Sequence, residues 1–560
     1  MQLVEVQVKQ GLLRGQRLSP PTKNLPAFDA FLGVPYAKPP VKELRFQAPQ
    51  PPEPWEGARP ALDHGADSLQ NDFMLRKQAG SEDCLYLNVY SPQVPSSVRT
   101  PVEGAPWPVM VWFYPGGFTN GTSHMRQYAP EWLVAKGVVL VTVTYRLGAL
   151  GFLSLRSSKC PGNAGLKDAV ASLQWVRDNI GVFGGDPNRV TVFGCSAGGA
   201  VTELLQLAPA AKGLFQRAIM QSASSLNQWC LLEAAEARRR AFRLGEALGC
   251  STQDEDELLA FLQKAPAVDI LAKSDSVIDI EKDGSRGLMF PFLPVSEAGL
   301  DVADAFLVDK PRTLLNERRY FPVPSIVGLA DMEGILTLDD SFAGKAIAST
   351  TSLEVADADL ERVIPAELGL EKGSPESVAL ADGIRQLYFD GGKVTRNGYW
   401  NLYSDLLFAT GVVQAARIHA TQVPVYFYLF CVMGRNNVLS TFLKAENPTG
   451  ACHGDELGYL FGRRPPFPPE PEWEPHSLEL ATKTRLTTLW ANFARTGVPT
   501  PAADPDVDNV EWKPLAGNPD TTAPLAPYLD IGATLSVPRA PLWEERVAFW
   551  DRVYAKHGPK

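Results

Sequence analysis

The stretch Arg189-Val190-Thr191-Val192-Phe193-Gly194-Cys195-Ser196-Ala197-Gly198-Gly199 constrains this chain more than any other. A run of β-formers leads into Gly-x-Ser-x-Gly, and an apolar helical segment follows to about Leu207. Strand, sharp turn and helix in that order is the context in which a serine is thrust above a sheet. Glycines on both flanks let the two backbones approach where a Cβ would collide. A helix starting at Ala197 aims its amides and its dipole at charge developing beside Ser196. The motif alone is short enough to recur by accident, so its surroundings have to decide its meaning.

Those surroundings alternate strand and helix. Val109–Tyr114 and Val138–Tyr145 read as buried strands, and Gln216–Gln221 and Ser325–Leu329 as shorter ones. Residues 165–180 form an amphipathic helix with Leu166, Val170, Leu173 and Val176 on one face. The alternation predicts an α/β fold with a central, mostly parallel, twisted sheet flanked by helices. Residues 1–60 read as β-hairpins, and 231–320 and 350–420 as mainly helical insertions around the site. There are no internal repeats and no flexible linker, which predicts a single catalytic domain over residues 1–560.

Lys+Arg 53 against Asp+Glu 63 gives a net charge of −10. That balance disfavours nucleic acid and anionic membrane surfaces. Residues 1–9 alternate like a strand, without the cationic and apolar regions of a secretory signal, and no segment is apolar for a membrane span's length. Seven cysteines, at 84, 160, 195, 230, 250, 431 and 452, show no metal-ligand spacing. A reduced, cytoplasmic protein, monomeric or weakly homo-oligomeric, is the simplest expectation. No zinc, calcium or nucleotide motif occurs, so no metal or cofactor is expected.

If Ser196 is a nucleophile, it needs a base, a group to orient that base, and donors for an oxyanion. The chain has six histidines. His453, in the loop Gly450-Ala451-Cys452-His453-Gly454-Asp455-Glu456, has small neighbours that leave room for such a role. His124 is a weaker rival, and His419 falls mid-helix, where packing is the plainer role. The order serine, acid, histidine puts the acid between 196 and 453 at the end of a strand. Asp331 and Glu333, just after Ser325–Leu329, both qualify. Asp455 and Glu456 follow the histidine and break the order. The glycine loop Tyr114-Pro115-Gly116-Gly117-Phe118 offers the amides of Gly116 and Gly117, which would join that of Ala197.

With these parts assembled, the chain resembles the type-B carboxylesterase/cholinesterase family of α/β-hydrolases. The similarity rests on Gly33-Val34-Pro35-Tyr36-Ala37, Leu44-Arg45-Phe46, Glu82-Asp83-Cys84-Leu85-Tyr86-Leu87-Asn88-Val89-Tyr90 and Phe183-Gly184-Gly185-Asp186-Pro187. It covers nearly the whole chain. The resemblance implies a Ser-Glu-His triad on Ser196, Glu333 and His453, favouring Glu333 over Asp331. It also implies that Ser222 hydrogen-bonds behind the triad and that Trp229 walls an acyl pocket. Where the family has partner cysteines, this chain has Ser68 opposite Cys84 and Phe261 opposite Cys250. A choline-stacking tryptophan is missing between Ser68 and Cys84, and neutral Cys195 precedes the nucleophile. The chain is most similar to the intracellular α-esterase, or esterase-B, branch known from insects.

The expected activity is hydrolysis of uncharged, hydrophobic carboxylic esters through an acyl-enzyme, in detoxification or sequestration of such esters. The alternative of another class is a catalytically weak adhesion or partner-binding member of the same fold.

Overall fold

The computed structural model describes residues 2–22, 24–95, 106–278, 289–338, 350–445, 448–466, 470–518 and 522–559. Its spine is a 13-stranded sheet. We number twelve strands in chain order: β1 (Gln2–Val8), β2 (Gly11–Leu18), β3 (Phe28–Pro35), β4 (Tyr86–Ser91), β5 (Trp107–Phe113), β6 (Val139–Val143), β7 (Gly185–Cys195), β8 (Arg217–Gln221), β9 (Ser325–Ala330), β10 (Val425–Phe430), β11 (Leu529–Ile531) and β12 (Leu535–Ser536). The short segment Ala58–Pro60 pairs with the edge of β2.

Across the sheet the order is β1-β2-β3-β4-β6-β5-β7-β8-β9-β10-β11-β12. From β6 to β11 every neighbouring pair is parallel. The N-terminal strands and β12 add antiparallel margins. Parallel strands are covered on both faces, which is why Val190, Thr191, Val192 and Phe193 of β7 are all 0% exposed rather than alternating. Helix α1 (Ala164–Asn179) buries the expected Leu166, Val170, Leu173 and Val176. Helix α2 (Ala197–Leu207) is buried along its whole length.

The register sets the level of the site. Cys195 of β7 pairs with Gln221 of β8, which pairs with Gly328 of β9. These strands therefore end together, and the residues after them gather at the carboxyl edge of the sheet, where ligands bind in open α/β sheets. The expected insertions are helical in the described residues. They include Ala234–Ala247, Glu255–Lys264 and Ala267–Lys273 before β9, and Pro375–Phe389, α3 (Arg396–Ser404) and α4 (Thr410–Ala420) before β10. Residues 279–288 of the first insertion lie outside the described residues. Between α3 and α4 the chain makes a π-turn, Asp405–Ala409. Further on come α5 (Val438–Leu443) and α6 (Leu478–Thr496).

Candidate active site

Ser196 stands at φ 56°, ψ −126°, between β7 and α2. An L-residue rarely adopts such a backbone, and it persists only where its surroundings enforce it. The flanking glycines explain how. A Cβ on Gly194 would lie 2.3 Å from the Gly198 carbonyl carbon, and one on Gly198 would lie 1.9 Å from the Phe113 oxygen. Ser196 N–H donates to Gln221 O at 2.8 Å, tying the turn to β8. The Ser196 hydroxyl does not cap α2, so it is not spent on the helix.

His453 and Glu333 meet from loops 120 residues apart. His453 Nδ1 lies 2.5 Å from Glu333 Oε2. An ionised carboxylate only accepts, so Nδ1 carries the proton and Nε2 is left as the basic nitrogen. Glu333 Oε1 accepts from the Ala330 amide at 2.7 Å, which fixes the carboxylate at the end of β9. Both groups are buried, Glu333 completely. The rival acid Asp331 has other work: its Oδ1 accepts from Ala451 N–H at 2.6 Å and so holds the histidine loop against β9. Asp455 clamps the same loop from the far side. Its carboxylate accepts from the amides of Cys452, Leu439 and Ser440, from Asn437 Nδ2 and from Ser440 Oγ.

Ser196, His453, Gly116 and Gly117 line one cavity of about 130 Å³. Gly116 and Gly117 sit at φ 128° and 59°, conformations that glycine adopts freely. Most other walls are apolar, among them Phe73, Met74, Val438, Leu439, Leu457 and Phe461. Two expectations change. The cavity, expected to take uncharged, hydrophobic esters, carries fixed charges at Asp72 and Arg463. Trp229 is not on the open wall. It lies behind, 3% exposed, packed against Phe118, Phe290 and Phe408. Phe408 in turn sets its ring 4.5 Å from that of His453. The π-turn makes this possible: it frees the carbonyls of Leu407 and Phe408, which accept from Trp229 Nε1 at 2.6 Å and Asn227 Nδ2 at 2.8 Å. No pattern in the sequence announces that turn.

Ser222 also differs from expectation. Its backbone is left-handed at φ 54°, and its hydroxyl is fully buried without a hydrogen-bond partner among the described residues. The bond expected of it is not formed among the described residues, where Glu333 accepts from the Ala330 amide and pairs with His453. Cys195 is completely buried, and burial together with Glu456 and Glu333 pushes its thiol well above the ordinary range. That suits a packing residue rather than a nucleophile. His419 Nε2 pairs with buried Glu203 Oε1 at 2.8 Å, a packed role.

His64 and His124 stack on each other with ring centroids 4.3 Å apart. Arg126 Nη1 donates to His124 Nδ1 at 2.7 Å, so that nitrogen is unprotonated and Nε2–H donates to Gly65 O at 2.9 Å. Burial and neighbouring cations push His64 down to about 3 and His124 to about 4. Arg126 also bridges Asp67 and Asp72, which offsets part of their charge at the edge of the cavity.

Residues 2–550 match the carboxylesterase family. A juvenile hormone esterase of Tribolium castaneum is 33% identical over 88% of this chain and 83% of its own. The pyrethroid hydrolase Ces2a of Mus musculus is 31% identical over 93% of this chain and 87% of its own. The crystal structure of juvenile hormone esterase from Manduca sexta, with OTFP covalently attached, superposes with a TM-score of 0.84 at 28% identity, covering 99% of this chain and 100% of that one. No helix among the described residues is long and apolar enough to cross a membrane. The chain belongs to the carboxylesterase family and is a carboxylic ester hydrolase on the α/β-hydrolase fold.

Proposed function

We propose that this hydrolase works as a serine esterase through Ser196, His453 and Glu333. The observation that carries the reading is the 2.5 Å His453–Glu333 pair opening on the same cavity as a serine held at φ 56°. His453 Nε2 takes the Ser196 proton as Oγ attacks the ester carbonyl carbon. The amides of Gly116, Gly117 and Ala197 receive the oxyanion. His453 returns the proton to the leaving alkoxide, and the alcohol departs. Water then attacks the acyl-enzyme by the same proton path and releases the acid.

The largely apolar walls favour uncharged esters with a hydrophobic group, since Asp72 is already paired with Arg126. Detoxification or sequestration of such esters by a single-domain, cytoplasmic protein fits this chemistry. All seven cysteines are free, in keeping with a reducing compartment. Ser196→Ala should lower the hydrolysis of para-nitrophenyl acetate and butyrate by at least about 10³-fold. An organophosphate should label the parent stoichiometrically at Ser196. Unchanged turnover in the variant, or labelling of another serine, would refute the assignment.

A further inference from the structure

The cavity beside Ser196 holds two charged side chains in unequal states. Asp72 is satisfied: its Oδ1 accepts from the Leu75 amide at 2.8 Å and its Oδ2 from Arg126 Nη2 at 3.3 Å. Arg463 lines the same cavity, partly buried, and is not satisfied. Its Nη2 donates to Asn436 Oδ1 at 2.9 Å, and its side chain makes no other hydrogen bond among the described residues. Its Nε is buried with no partner there. A guanidinium carries donors on every nitrogen, so most of this group's capacity is unused.

The neighbouring cations each have a carboxylate, and Arg463 is the one left over among the described residues. Arg464 pairs with Glu131 at 2.9 Å, and Lys483 of α6 pairs with Glu470 at 2.8 Å. The Glu470 charge bears on Arg463, yet no ion pair joins them. Asn436 is fully buried, and its Nδ2 donates to Gly458 O, which turns Oδ1 toward the guanidinium. An amide oxygen accepts a hydrogen bond but balances no charge, and a cation taken partly out of water without a counter-charge is unfavourable. The position also indicates which arm of an ester reaches it. His453 returns its proton to the leaving oxygen, so the alcohol lies on the histidine side of Ser196. From His453 the chain runs on through Gly454, Leu457 and Phe461 to Arg463, all on the cavity wall. Phe290 and Trp229 pack together on the side of the glycine loop, where a Cβ on Gly117 would lie 2.3 Å from Phe290.

We propose that Arg463 determines specificity by receiving a carboxylate at the far end of the alcohol arm, so that the preferred esters have a hydrophobic alcohol body with an acidic end. The proposal rests on the assignment of Ser196, His453 and Glu333 above. It extends the substrate from a wholly uncharged ester to one that is uncharged at its reacting end. Leu457 and Phe461 flank the apolar body. A carboxylate oxygen pair matches the planar fork of a guanidinium and supplies the counter-charge that the wall lacks. Asp67 and Asp72 share one Arg126, and the negative charge left there turns the acidic end away from them and toward Arg463. Such binding is present in the ground state and the transition state alike, so it acts on KM more than on kcat.

The test compares two butyrate esters of one shape, 4-carboxyphenyl butyrate and the neutral 4-carbamoylphenyl butyrate. The readout is the ratio of their kcat/KM values, which cancels any difference in folded fraction. That ratio should be higher in the parent than in Arg463→Met by about tenfold or more, chiefly through KM. Arg463→Lys keeps the charge and loses the fork, so its ratio should fall between the two. Equal ratios in the parent and Arg463→Met would mark Arg463 as a support for Asn436 only and overturn the proposal. Product inhibition gives a second reading on the parent alone, should the variants not fold. There 4-hydroxybenzoate should inhibit at concentrations about fivefold or more below those of 4-hydroxybenzamide, and equal inhibition would again overturn the proposal. An Arg463 dependence confined to esters with the carboxylate on the acyl arm, such as para-nitrophenyl hydrogen glutarate, would overturn the placement on the alcohol side. A parent protein that turns over no ester would instead sink the serine-esterase assignment itself.

Discussion

The serine turn and the histidine loop face each other across one cavity, yet they are held by opposite means. The turn is fixed by close approach of backbones: Gly194, Gly198 and the Phe113 carbonyl leave no space for another atom. The loop is fixed by carboxylates reaching from elsewhere, Asp331 at its start, Glu333 at the histidine and Asp455 beyond it. Steric fixation is local in sequence, while carboxylate fixation is distributed. The first resists any added methyl group, and the second responds to hydrogen-bond loss and to pH.

Gly198→Ala is the hardest blow to the steric side. Its Cβ would overlap main-chain atoms that cannot rotate away, at an expected cost of about 4 kcal/mol or more. A thermal melt should show a collapsed midpoint or no folded protein. Normal stability would mean that the turn is not sterically locked.

Asp455→Ala attacks the other side by removing one acceptor from five donors. Stability should fall by about 3 kcal/mol, since buried donors left unpaired are costly. Turnover should fall several-fold in the protein that remains folded, because Leu439 and His453 lose their shared anchor. Denaturant titration and active-site-normalised kcat measure both effects. An unchanged kcat would show that the loop holds its position without this clamp.

Asp331→Asn is a subtler probe and separates the two sides by pH. Partial burial pushes the Asp331 carboxyl up to about 6, from an ordinary 3.8. A raised carboxyl favours the fold below its unfolded pKa, and that benefit is lost as pH climbs through 6. Asparagine still accepts from Ala451 but never ionises. The variant should therefore gain about 3 kcal/mol on the parent at pH 8, about a third of that at pH 4.5, and nothing at pH 3. A difference independent of pH would place the Asp331 effect in packing.

The same contrast decides what was legible in the sequence. The turn could be read because strand, glycines and helix are consecutive, and the structure starts and ends α2 at Ala197 and Leu207 as expected. The choice between Asp331 and Glu333 could not be made from local pattern. Both follow one short strand, and only three-dimensional reach tells which meets His453. Strand β10 was missed although its signal is local: Pro424 breaks the helical sequence, and Val425-Tyr426-Phe427-Tyr428-Leu429-Phe430 is a run of β-formers. The charges at Asp72 and Arg463 come to one cavity from opposite ends of the chain, so no window contains both. Trp229 was read as a wall residue from family likeness. The π-turn that packs Phe408 against both Trp229 and His453 has no sequence signature.

The left-handed backbone of Ser196 also limits which nucleophiles this scaffold can accept. A β-branched side chain crowds its own main chain at positive φ. Threonine at 196 would thus distort the very turn that presents its hydroxyl. A thiol on the same unbranched stem meets no such obstacle. Exchange of oxygen for sulfur is open to this fold at this point, and exchange of a primary for a secondary alcohol is closed.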